Sequence, residues 1–121
     1  MMENTIYKII FKHLKDKGFD IYTPSQKQGE CIEPYLVLKS AGTVQVSNFS
    51  STQNLYDILC YVPKNRFTLM ESFVDSVEDA MKELFPMIKS AHYRTESFYD
   101  DSVKGHMVST QYINYRKFYN N

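Results

Sequence analysis

Tryptophan is absent from this 121-residue chain, cysteine occurs twice, and glycine and proline four times each. The glycines stand alone at 18, 29, 42 and 105, so no glycine-rich loop exists to cradle a phosphate with backbone N–H groups. Cys31 and Cys60 have neither a CxxC spacing nor the density of a disulfide scaffold. Free thiols in an intracellular chain are therefore expected, with a disulfide between the two unforced but left open. Net charge is missing too: fourteen basic side chains balance fourteen acidic ones, leaving no global field to draw in nucleic acid or an anionic membrane. No apolar run approaches the ~18 residues that suggest a membrane span. The opening MMENTIYKIIFKHLKDKG lacks the uninterrupted apolar core and small-residue cleavage site of a signal peptide. Partner choice must rest on local surface.

The chain's excess is aromatic, with ten Tyr and eight Phe. Such rings favour strands and, where they stay exposed, interfaces. A chain of this length hides roughly two thirds of its unfolded surface in one modest core, which usually takes fewer rings than these. The surplus points to a subunit that buries part of its sheet against neighbours.

Periodicity orders the elements. Ile6, Ile10 and Leu14 are four apart, with Tyr7 and Phe11 on the adjoining row, which predicts an amphipathic helix over Thr5–Lys17 closed by Gly18. Residues 19–33 read as a short strand and then a loop around Pro24, Ser25 and Gly29. Tyr35–Lys39 reads as a strand, Ala41-Gly42 as a turn, and Thr43–Val46 and Leu55–Val62 as period-two strands. In the last, Tyr56, Ile58, Cys60 and Val62 form one face. Leu55, Asp57, Leu59 and Tyr61 form the other, apolar enough to need a helix or another chain over it.

Thr68 and Glu71 have capping-box spacing, opening a second helix whose apolar stripe runs from Met70 to Leu84 before Pro86 stops it. Its other face carries Glu71, Asp75, Glu78, Asp79 and Glu83, read as a solvated acidic face ahead of a docking surface. Ile88–Glu96 and His106–Tyr119 read as a hairpin joined by SFYDDSVKG. The expectation is one α+β domain over residues 1–121, with an antiparallel or mixed sheet of about four to five strands packed with two helices in the order α-β-β-β-α-β-β.

Chemistry finds little support. His13, His92 and His106 lie in three different elements without ligand spacing, so they are expected to be surface residues and no metal is expected. Asp100-Asp101 reads as turn chemistry. Ser50, Ser51 and Thr52 have no recognisable base beside them. No catalytic residue and no cofactor are expected. A single-stranded RNA platform from Tyr112, Tyr115 and Phe118 beside Arg116 and Lys117 is an alternative, opposed by the acidic helix face.

The order and local pattern of IYKIIFKHLKDKG, EPYLVLKS, NLYDILCYVP followed by FTLMESFVDSVEDAMKEL, and MVSTQYINYRKF resemble the tail terminator, or tail completion, proteins of long-tailed bacteriophages and phage-tail-like bacteriocins. Neck or head-completion proteins share a similar layout. The resemblance implies a non-enzymatic subunit of a virion or phage-like particle, assembled in the bacterial cytoplasm. It also implies a homohexameric ring that caps the tail tube protein and meets sheath, neck or collar proteins, with no specific nucleic acid and no membrane as partner. Under it, Ser47–Gln53 is a hairpin loop that Phe49 anchors to a neighbour. The interface residues expected are Phe49, Leu59, Tyr61, Phe98, Tyr99 and Tyr115.

Overall fold

The structure, a computed structural model, describes residues 5–45 and 51–117. Helix α1, Thr5–Asp16, is followed by strands β1, Ile21–Tyr22, β2, Tyr35–Gln45, and β3, Ser51–Pro63. A 3-10 helix, Lys64–Leu69, then leads into α2, Met70–Lys82, and strands β4, Lys89–Arg94, β5, Phe98–Asp100, and β6, Gly105–Lys117, complete the order. The chain is α+β, with two helices on a mixed six-stranded sheet in the order β1-β2-β3-β6-β4, and β5 also pairing β6. All pairings are antiparallel except β1 with β2.

The expected sheet was one strand too small because the SFYDDSVKG connection is not all turn. Phe98–Asp100 pairs with Gly105–Met107, and Asp100 Oδ1 accepts from the Ser102 N–H at 3.0 Å and the Ser102 hydroxyl at 2.6 Å. The expected turn at Ala41-Gly42 is instead a bulge inside one continuous strand: the β2–β3 register slips between Ser40 and Gly42. Gly42 takes φ +111°, a conformation that costs an L side chain and that a bulge uses. The capping box does not form. Leu69 stands at the N-cap of α2 without a side-chain hydrogen bond, because the preceding 3-10 turn supplies the Phe67 carbonyl to the Met70 N–H. The end of α1 is as expected, with Gly18 at φ +98° and its N–H on the Lys15 carbonyl.

One face of the sheet carries the core. Leu36 and Leu38 of β2, Tyr56, Ile58, Cys60 and Val62 of β3, and Val108 and Tyr112 of β6 are buried beneath α1 and α2. The helices contribute Ile10, Leu14, Met70, Val74, Val77 and Met81. Tyr7 of α1 also donates its hydroxyl to the Leu38 carbonyl at 2.6 Å, capping β2 just past the last residue that β1 pairs. His13 joins the helices rather than lying on the surface, its Nε2 2.8 Å from the Ala80 carbonyl.

Candidate assembly interface

Strand alternation gives the sheet a second face, and cross-strand register orders it in rows. Tyr35, Tyr61, Met107 and Phe98 make one row, and Val37, Leu59 and Ser109 the next. Lys39, Asp57 and Gln111 follow, and then Leu55 and Ile113. Among the described residues no helix covers this side, and the buried helix residues all belong to the core on the opposite face. The loop over residues 23–34 covers one end. The Cys31 N–H donates to the Val103 carbonyl at 2.6 Å, and the Cys31 side chain presses on Gly105, where a Cβ would sit 3.0 Å from that of Cys31. Lys27 lies 5.3 and 5.4 Å above the rings of Tyr22 and Tyr35.

Beneath this loop Tyr35 is buried and stacks on Tyr61 with centroids 4.8 Å apart. Burial pushes both phenols up from their ordinary value. Beyond the loop the face stays open: Val37, Leu55, Leu59, Met107 and Ile113 are half-buried, and Phe98 is 58% exposed. In its polar row the Gln111 amide donates to Asp57 Oδ1 at 3.0 Å, and Lys39 is exposed. Partly open apolar strands of this kind can bury against a protein surface, and a partner would also have to meet the charges of Lys39 and Asp57 in the polar row.

Of the expected interface residues, Leu59, Tyr61 and Phe98 share this face. Tyr99 does not: it pairs with His106 on the helix side, rings 5.2 Å apart, and His106 in turn packs on Phe67 at 4.7 Å. Phe49 lies outside the described residues, as does the side chain of Tyr115. Ser51, Thr52 and Gln53, expected in a loop, belong to β3. Sequence reading missed Val37, Met107 and Ile113, which only register places on the same face as Leu59.

The acidic face of α2 is less free than expected. Arg94 reaches across from β4 to Glu78, at 2.8 and 3.0 Å, and to Asp75 at 2.5 Å. Donating to the Glu78 and Asp75 carboxylates holds its guanidinium above its ordinary value. Lys17 pairs with Glu83 at 2.7 Å and draws that carboxyl below its usual range. The RNA platform loses its first ring, since Tyr112 faces the core and is 2% exposed. The other two rings lie outside the described side chains.

Among the described residues no group of three or more His, Cys, Asp or Glu could hold a metal ion, and no helix is long and apolar enough to cross a membrane. Cys31 and Cys60 are buried and unpaired with each other. No family model and no curated protein sequence matches the chain. A solved structure that carries a serial designation rather than an activity matches 100% of both chains, with a TM-score of 0.54 and 12% sequence identity. That likeness is one of fold.

Proposed function

We propose that this protein is a non-enzymatic structural subunit of a phage or phage-like tail, capping the tail tube as a hexameric terminator ring and joining it to the neck or collar. The observation that carries the reading is the second sheet face, whose half-buried Val37, Leu55, Leu59 and Ile113 have no helix above them among the described residues. A ring supplies that cover repeatedly, through heterologous contacts in which one patch meets a different patch on the next copy, and closure prevents an open filament. Element order supports the same reading, because α1, β2, β3 with α2, and β6 occupy the segments that resemble tail terminators.

Mechanism on this reading is geometric. Growth of the tube stops where its last ring meets a surface that offers no further tube-like contact. Negative-stain imaging of particles assembled with and without the protein tests this. Overlong or ragged tubes in its absence are the expected result. Regular tubes that fail to join heads would assign the protein to the neck instead, and unchanged particles would overturn the assembly reading.

A further inference from the structure

The two halves of the 23–34 loop are held to the sheet in different ways. Its second half is tied down: the Cys31 N–H donates to the Val103 carbonyl, Cys31 packs on Gly105, and Glu33 accepts from the Arg66 guanidinium at 3.1 Å. The bonds of its first half are local. The Gln26 N–H donates to the Thr23 carbonyl at 3.1 Å and the Thr23 N–H to Gln26 Oε1 at 2.9 Å, which closes a turn within the loop itself. From Pro24 to Glu30 every residue is exposed except Lys27, which is half-buried.

Lys27 is where this half meets the sheet. Its ammonium stands 5.3 Å from the Tyr22 ring centre and 5.4 Å from that of Tyr35, within the ~6 Å over which the negative face of a ring attracts a cation. The two rings meet edge to face at 5.7 Å, and Tyr35 stacks in turn on Tyr61. Among the described residues Lys27 forms no ion pair, so the rings alone answer its charge.

The backbone between latch and anchor is free to turn. Gly29 takes φ +88°, and a Cβ there would meet nothing within 4 Å, so the path of the chain rather than packing sets its conformation. Ser25, on the other side of Lys27, takes φ +68°, a region that an L side chain adopts at some cost. Changes at a few loop positions of this kind are enough to swing a segment while its neighbours stay fixed.

We infer that residues 23–30 form a flap, hinged at Gly29 beside the fixed Cys31 and latched shut by Lys27 on Tyr22 and Tyr35. Shut, it covers both rings. Lifted, it adds them to Val37, which pairs with Tyr22, and so lengthens the apolar face at that end. The latch belongs to the free chain and does not rest on the ring reading.

The test is nitration of the free chain with tetranitromethane, read residue by residue by peptide mass spectrometry, for the native protein, Lys27→Gln and Lys27→Arg. Tyr93, 59% exposed, sets the fast limit, and Tyr112, buried in the core, reports general loosening. Nitration of Tyr35 should rise roughly two- to fivefold in Lys27→Gln, the change in open population that one such contact controls at a partly exposed site. Tyr112 should keep its rate. Lys27→Arg should restore the native Tyr35 rate, because a guanidinium also seats on aromatic faces. An unaltered Tyr35 rate in Lys27→Gln overturns the latch. A rise shared with Tyr112 overturns it too, since global opening then accounts for the reaction. So does a Lys27→Arg chain that reacts as fast as Lys27→Gln, because a cation on the rings would then not be what holds the flap.

Discussion

Ile58 and Leu59 are neighbours in β3 with opposite surroundings: Ile58 is fully buried under the helices, and Leu59 is half-buried on the open face. Ile58→Ala should therefore cost about 2–5 kcal/mol, the transfer term plus an unfilled cavity. Leu59→Ala should cost less, about 1–2 kcal/mol, since part of its surface stays in water and no closed cavity is left. Urea titrations of the two variants check the contrast, and equal losses would mean that the open face is not open. The alternation behind it was legible in the sequence, down to Tyr56, Ile58, Cys60 and Val62 as one set. Which set the helices would choose was not, because both are largely apolar. Spacing and low cysteine density favoured free thiols without deciding the matter; the structure has both free and buried, and burial accounts for the raised Cys60 thiol.

Among the elements, α1, β3 and α2 could be read because each carries a long period of its own. The errors fall where tertiary contacts overrule a local signal. Ala-Gly looked like a turn, yet β3 pairs with both sides of Gly42 and keeps the strand continuous. Gly42→Val should lower stability by about 1–3 kcal/mol through backbone strain at positive φ, since no atom lies within 4 Å of the added Cβ. Thermal unfolding reads that loss.

The junction of α1 with the end of α2 carries a pH signature. Lys17 depresses the Glu83 carboxyl below its ordinary 4.5, so the pair contributes stability fully present above that value. The contribution is lost as pH falls through the lower folded value. Lys17→Met should remove this part of the acid sensitivity, visible as a flatter stability profile below pH 4.5, and an unchanged profile would show that the pair contributes nothing.

For the whole molecule, the decisive feature is a sheet with helices on one face and, among the described residues, only the 23–34 loop over one end of the other. Leu59→Lys places a charge at the centre of the uncovered side while its long stem can still reach water. The free chain should remain folded by circular dichroism, and its recovery in purified particles should fall sharply. Full recovery would argue that this face meets no neighbour. Sequence reading reached the surplus of aromatic strand surface but not the rows that gather it. Val37, Leu59, Met107 and Ile113 come together only through the pairings of β2, β3 and β6.

Strand order also constrains how the chain reaches its fold. The sheet runs β1-β2-β3-β6-β4, so β6 lies between β3 and β4 although it is the last of the six to leave the ribosome. Until it arrives, β3 has one bare edge and β4 has no partner. The β2–β3 hairpin and both helices can gather early through near-neighbour contacts, whereas closure waits on pairings such as Thr52 with Arg116. Late, long-range closure of this kind is slow and leaves an open strand edge in the interval. A nascent subunit is thus most vulnerable to mispairing just before its final strand inserts, and a crowd of identical nascent chains is where that hazard is greatest.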